Sequence, residues 1–162
     1  MNADAFRYLY DYHFAENRRI WDSYITPLTY EQFTQDVEYS QGSVRDQIVH
    51  LMNVDDIWFS ELGRDEISEP FEQADFDDRQ NMRAHWDGIE QNMRAYLDSL
   101  RDEMLFETPI LEEEDKDLIV WQVLLHVINH GTDHRAQLFR LLNDLGATTN
   151  SQDFIFYVYD HL

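Results

Sequence analysis

The sequence contains no cysteine among its 162 residues. This absence excludes a disulfide framework, a thiolate metal ligand and a cysteine nucleophile. Any metal ion must therefore be bound by histidine and carboxylate side chains. Any thiol chemistry would need a thiol that is supplied by another molecule.

Lysine is almost absent as well, because Lys116 is the single lysine of the chain. Lysine and arginine together number 12, against 33 aspartates and glutamates, and the formal net charge is −21. Nucleic-acid binding depends on clustered cations, so we expect no contact with DNA or RNA. The acidity fits either an ordinary acidic cytosolic protein or a salt-adapted proteome, and the sequence leaves both open.

Long apolar runs are also missing from the sequence. No stretch reaches the roughly 18 consecutive apolar residues of a membrane-spanning helix. The N-terminal segment is charged and aromatic, and it lacks the apolar core of a signal peptide. We therefore expect a soluble, cytoplasmic protein that does not contact a membrane.

The chain does have ample material for a hydrophobic core. Hydrophobic residues make up 43% of it, including ten Phe, nine Tyr and four Trp. A chain of this length and composition suits one packed domain, and we predict a single domain over residues 1–162.

Apolar residues recur at helical spacing in four segments. Ser43 is the predicted N-cap of the second helix, with Asp46 as its capping-box partner, and Gly63 and Gly146 close the second and fourth helices. The pattern predicts an all-α protein, and a four-helix bundle is the simplest architecture for it. The predicted helices span residues 3–25, 43–63, 77–101 and 119–145.

The connections between these helices are less regular. A short helical turn is predicted over residues 30–36, and a long acidic loop over residues 64–78, between helices two and three. Residues 106–117 read as extended, either a small hairpin or a crossover. A short aromatic tail, residues 154–162, is expected to pack back onto the helices.

Histidines are the residues that point most directly to chemistry. His126, His130 and His134 follow one another at four-residue spacing on the last predicted helix. Residues four apart lie about 40° round a helix, so two such imidazoles can bind one ion, whereas His126 is about 80° from His134. We therefore favour His130 and His134 as ligands, with His50 of the second helix as the third. Such a trio suits zinc, nickel, cobalt, iron or copper.

The remaining polar candidates have weaker patterns. His126 is expected to pack between helices or to donate a hydrogen bond to a ligand. All these histidines could instead be core or surface residues bonded to their neighbours. Possible outer partners of the ligands, each equally readable as a surface residue, are Asp46, Asn53, Asn129 and Asp133. The histidines with the weakest case for a functional role are His13, His85 and His161.

Two familiar metal motifs are excluded by the residues themselves. A zinc-peptidase helix carries HExxH, but Val127 follows His126 and Gly131 follows His130. A di-iron carboxylate bundle carries Glu-x-x-His pairs, and no histidine here has a glutamate three residues before it.

Three segments together resemble one known family. The run HVINHGTDHRAQL is similar to the H-x-x-x-H-R-x-Q signature of the DinB/YfiT-like metalloenzymes. The second helix of that family resembles GSVRDQIVHLMNVDDIWF, and part of its first helix resembles YHFAENRRIW. The chain departs from the family at Phe14, where a tryptophan is common.

This resemblance implies a four-helix bundle that forms a homodimer and holds a divalent metal, zinc or nickel, on His50, His130 and His134 with one or more waters. It also implies a metal-dependent enzyme, either a hydrolase or an S-transferase that uses a low-molecular-weight thiol or another small substrate. Arg135 would either tie the fourth helix to a neighbour or contact an anionic substrate. The alternative is a non-catalytic metal-binding or stress-response dimer whose site is structural or vestigial.

Overall fold

The structure is a computed structural model that describes residues 1–65, 69–76 and 78–162. Within these ranges all regular structure is helical and there is no strand, which confirms the all-α prediction. A π-helical turn, Trp21–Ile25, extends the first helix, and two 3₁₀ turns span Gln73–Asp75 and Asp102–Phe106. The α-helices are α1 (Ala3–Ile20), α2 (Tyr30–Thr34), α3 (Val44–Gly63), α4 (Arg79–Ser99), α5 (Val120–Asp144) and α6 (Phe154–Asp160).

Helix α3 begins with the predicted capping box. Ser43 Oγ accepts a hydrogen bond from Asp46 N at 3.2 Å, and Asp46 Oδ2 accepts one from Ser43 N at 2.8 Å. These bonds satisfy amide groups that the first helical turn leaves without a partner. At the other end the left-handed residue is Arg64 (φ 59°), one position after the predicted Gly63. Gly146 after α5 has φ 93°, as its predicted role requires.

The four longest helices, α1, α3, α4 and α5, pack against one another around one apolar core. Each of α1 and α3 contacts both α4 and α5. One face of α3 is buried along its whole length, namely Val44, Ile48, Leu51, Asp55 and Phe59. Because α3 lies directly against α5, His50 comes close to the histidines of α5.

The connections differ in how far the structure describes them. Residues 66–68 and 77, which belong to the predicted acidic loop, lie outside the described residues. Among the described residues, the segment after α4 has no hairpin and crosses to α5 as a 3₁₀ turn and irregular chain. Helix α6 lies on α1, where the ring of Tyr12 meets those of Phe154 and Tyr157 at 5.2 Å and 5.6 Å. None of the described helices combines the length and the apolar character that a bilayer crossing requires.

Candidate metal centre

Three histidine side chains converge where α3 packs against α5. His50 comes from α3, and His130 and His134 come from α5 one helical turn apart. One ring nitrogen of each lies within 4.8 Å of those of the other two. His50 Nε2 is 3.0 Å from His130 Nε2, and the ring of His134 has its centroid 4.3 Å from each of the other two.

This spacing fits a shared transition-metal ion. Two imidazole nitrogens that bind one zinc ion at about 2.0–2.1 Å are about 3.3 Å apart in tetrahedral geometry. The 3.0 Å separation of the His50 and His130 nitrogens differs from that value by a few tenths of an ångström. An all-imidazole donor set also matches the preference of zinc, nickel, iron and copper. The three residues therefore could hold a metal ion.

The surroundings keep these imidazoles in the neutral form. Burial lowers the pKa of His130 to about 4, and repulsion from His134 and His50 adds to the effect. Burial also lowers the pKa of His50, with a contribution from His134. Burial lowers the pKa of His134, although the nearby Asp133 carboxylate acts in the opposite direction. Neutral imidazole is the form that donates a lone pair to a metal, so the donors are ready at neutral pH.

Gln47 is a site residue that sequence reasoning missed. Its side chain is fully buried on α3, and its Oε1 lies 3.2 Å from His134 Nδ1. An amide oxygen only accepts, so the contact places the ring hydrogen of His134 on Nδ1 and leaves Nε2 as the free donor. The position of Gln47 could have predicted this contact, because it is a polar residue on the buried face of α3, three positions before His50 and thus on the same side of the helix.

Three of the four predicted outer partners are engaged elsewhere. The Asn53 side chain bonds both backbone groups of Phe71, at 2.9 Å and 2.8 Å. Asp133 accepts from Gln137 Nε2, and Asp46 caps α3. The fourth, Asn129, is an exposed residue on the surface of α5. Within the described residues none of the four hydrogen-bonds a histidine of the cluster; Asp133 acts on His134 only through its charge.

The other histidines are not part of the cluster. His126 is exposed, and its ring packs edge-on against Trp58 at 5.4 Å and lies 5.8 Å from the ring of His130. It therefore lies at the α3–α5 seam, as predicted, and forms no hydrogen bond with a histidine of the cluster within the described residues. His85 and His161 are exposed, and each bonds a backbone oxygen of its own helix one turn back. His13 is fully buried in a different group of polar residues.

This buried polar group consists of His13 and Asn17 of α1, Asp55 of α3 and Arg135 of α5, and it joins the three helices. Arg135 is fully buried and donates from Nη1 to Asn17 Oδ1 at 2.9 Å and to His13 Nδ1 at 3.1 Å. His13 Nε2 lies 3.5 Å from Oδ2 of the buried Asp55. Burial lowers the pKa of His13, and Asp55 opposes the shift. Arg135 therefore ties α5 to α1, and its burial removes it from contact with an anionic substrate. One residue of the sequence could have predicted this buried polar group. Asp55 is a carboxylate on the buried face of α3, and a buried carboxylate needs a polar partner.

Gly131 permits this close approach of α1 to α5. A Cβ atom there would lie 2.5 Å from His13 Cε1 and 3.1 Å from Arg135 Nη1. Both distances are shorter than normal van der Waals contacts. A glycine is therefore required between the two histidines of α5, for a packing reason and not for a chemical one.

A groove of about 390 Å³ opens beside His50, and we call it the His50 groove. Its walls are α3 and the described segment after it, which Asn53 holds in place through Phe71. Because His50 is part of the wall, a small molecule in the groove lies next to the cluster. The lining residues are Gln41, Asp46, Val49, His50, Asn53, Phe71, Glu72, Gln73 and Ala74.

Two packed helices of this protein bring three neutral imidazoles together beside an open groove. The protein therefore belongs to the class of helical proteins with a site that could hold a transition metal. Comparison of the sequence with known families identifies the family within that class. The DinB family matches residues 1–161, so this chain belongs to the DinB family. No curated protein matches the sequence.

Proposed function

We propose that this protein binds one divalent transition metal, zinc or nickel, through His50, His130 and His134. The observation that carries the proposal is the convergence of three imidazole nitrogens within 4.8 Å on two packed helices. Membership of the DinB family supports the same assignment. Three protein ligands leave at least one coordination position open for water or a substrate, as in catalytic metal sites.

The proposed activity is that of a metal-dependent enzyme, either a thiol-dependent S-transferase or a hydrolase. A divalent ion in such a site acts as a Lewis acid and lowers the pKa of a bound water or thiol. His50, His130 and His134 hold the ion, and Gln47 orients His134 through Nδ1. Because the chain has no cysteine, a thiol would come from a separate low-molecular-weight molecule that enters through the His50 groove.

The same proposal covers the architecture and the assembly. We propose that α1, α3, α4 and α5 form a four-helix bundle within one domain over residues 1–162, which their mutual contacts support. We also propose that the protein acts in the cytoplasm as a homodimer. Large apolar side chains that lie exposed on α6 support dimerisation, namely Phe154, Ile155, Phe156 and Tyr159.

Metal content tests the site directly. The protein is purified without a histidine tag or added metal, beside the His130→Ala variant, and both are measured by elemental analysis. We expect about one transition metal per chain in the wild-type protein and a large loss in the variant. If the wild-type protein takes up no metal even after reconstitution with zinc or nickel, the histidines are structural and the enzyme proposal fails.

The open coordination position separates an enzyme from a non-catalytic metal protein. An exchangeable water on the bound metal, detected by anion or thiol binding to the loaded protein, supports catalysis. A metal closed by a fourth side chain supports the non-catalytic alternative.

A further inference from the structure

The His50 groove has a distinctive polar lining. Asp46 and Glu72 contribute carboxylates, and Gln41, Asn53 and Gln73 contribute amides. Among the described residues that line the groove, none is lysine or arginine. The groove is therefore rich in hydrogen-bond acceptors and carries only negative side-chain charge.

The cations near the site offset this charge only in part. Arg45 Nε lies 3.9 Å from Asp46 Oδ1, within ion-pair distance, so Arg45 offsets part of the charge of Asp46. Asp46 Oδ1 has no hydrogen-bond partner within the described part of the chain. Arg135 is fully buried and is bonded to Asn17 and His13. A carboxylate that entered the groove would thus meet the exposed Glu72 carboxylate, and Arg45 offsets only the charge of Asp46, while no arginine or lysine is among the described lining residues.

The amide side chains of the groove add no positive charge, and one of the three already forms hydrogen bonds within the protein. The Asn53 side chain uses both its oxygen and its nitrogen on the backbone of Phe71. It fixes the groove wall and leaves Gln41 and Gln73, both exposed, as the lining amides that can reorient toward a ligand. Such amides pair well with hydroxyl or amine groups.

We propose that the His50 groove receives the polar part of a co-substrate that is uncharged or cationic, bearing hydroxyl or amine groups, and that it discriminates against carboxylates. Specificity of this kind comes from repulsion of the wrong ligand as much as from attraction of the right one. The inference rests on the proposed function, because the reacting end of the co-substrate has to reach the histidine cluster.

Small thiols bound to the cobalt-loaded protein test this inference without any assay of activity. The probes are cysteamine, 2-mercaptoethanol and 3-mercaptopropionate, whose tails are cationic, neutral and anionic. Dissociation constants come from the change in cobalt absorption when each thiol is titrated into wild-type protein and into Glu72→Gln. The matched control is Glu114→Gln, which removes the same charge from an exposed turn outside the groove wall.

Each thiol is compared with itself, so intrinsic differences in thiol acidity cancel. Two unit charges about 6 Å apart in water-like surroundings change binding by about threefold. In Glu72→Gln we expect 3-mercaptopropionate to bind about threefold more tightly, cysteamine about threefold more weakly and 2-mercaptoethanol with unchanged affinity. Glu114→Gln should change none of the three constants by a comparable factor.

The contrary results separate the inference from the proposed function. If cobalt binds and thiols bind, but Glu72→Gln leaves all constants unchanged or Glu114→Gln has the same effect, the groove does not select by charge and only this inference is overturned. If wild-type protein binds no cobalt, the proposed metal site fails and this inference fails with it. If cobalt binds but no thiol alters its spectrum, the S-transferase proposal and this inference both fail, while the metal site and the hydrolase proposal stand.

Discussion

Gln47 shows how one buried amide can set the tautomer of a histidine in the cluster. A histidine can carry its hydrogen on either ring nitrogen, and only the other nitrogen can bind a metal. The 3.2 Å contact between Gln47 Oε1 and His134 Nδ1 selects the tautomer and fixes the ring plane. Partners of this kind typically change metal affinity by about 10- to 100-fold when they are removed.

Gln47→Leu should therefore weaken metal binding about 10-fold or more, because leucine keeps the volume but accepts no hydrogen bond. Gln47→Glu keeps an acceptor at this position and should retain tight binding. Competition against a chromophoric chelator measures both affinities, and thermal unfolding of the metal-free variants shows whether each still folds. A folded Gln47→Leu protein with wild-type affinity would remove Gln47 from the site.

Protonation of His130 predicts a pH dependence of the metal-free protein. The pKa of His130 is about 4 in the folded chain, against an ordinary value of 6.5. Below pH 6.5 the unfolded chain binds a proton that the folded chain does not, so the free energy of unfolding falls as the pH drops from 6.5 to 4. Below pH 4 this residue makes no further contribution to the slope.

Urea unfolding of wild-type protein and His130→Gln, both in excess chelator, checks this prediction. The stability of the variant should decline less steeply between pH 6.5 and pH 4, because glutamine does not titrate. Carboxylates, His50 and His134 are present in both proteins, so the difference reports the titration of His130 together with its coupling to the two neighbouring histidines. Parallel curves would show that His130 titrates normally in the folded state.

At the scale of the helices, Gly131 controls how closely α5 approaches α1. The Cβ of an alanine would sit 2.5 Å from His13 Cε1, and His13 cannot move freely because Asn17 and Arg135 hold it. Overpacking of this kind costs about 1–3 kcal/mol. Gly131→Ala should therefore lower the free energy of unfolding, despite the better helix propensity of alanine.

Gly88 in α4 is the matched control for this substitution. A Cβ atom at Gly88 meets no heavy atom within 4 Å, so Gly88→Ala gains helix propensity without a clash. It should stabilise the protein by about 0.5–1 kcal/mol. Chemical denaturation of the two variants should give shifts of opposite sign. A neutral or stabilising Gly131→Ala would mean that α1 and α5 can separate at little cost.

For the whole molecule, charge and assembly are coupled. Each chain carries a formal net charge of −21, so two copies repel each other unless salt screens them. Negative groups outnumber positive ones 33 to 12, so screening removes more repulsion than attraction. A dimer needs attraction that outweighs this repulsion, and the apolar surface that α6 exposes beside α1 can supply it.

We therefore expect a particle of twice the 19.5 kDa chain mass whose dimer fraction rises with salt. Sedimentation equilibrium at low and at moderate sodium chloride, in chelator, measures both quantities. Phe156→Ser, at an exposed position of α6, should weaken the dimer, whereas Phe106→Ser, at an exposed position outside α6, is the control. A monomer at all salt concentrations would contradict the homodimer proposal.

Local order in this protein was determined by the sequence alone. Periodic apolar residues, the Ser43–Asp46 capping box and Gly146 predict the long helices to within a few residues, because helix formation depends on neighbours three and four positions apart. The same rule separates His126 from His130 and His134. It also led the prediction astray by one residue at Arg64, where the left-handed turn falls on a non-glycine residue.

Contacts between helices were decided only by the tertiary structure. The meeting of His50 with the α5 histidines, the bond from His134 to Gln47 and the choice of Asn17 and His13 as partners for Arg135 join residues up to 122 positions apart. No local periodicity encodes such pairs, because they depend on which helices pack together and at what depth. The close packing at Gly131 depends on side chains of α1 and α5 that lie against each other. The charge of the His50 groove likewise depends on residues of α3 and of the segment after it that lie close together.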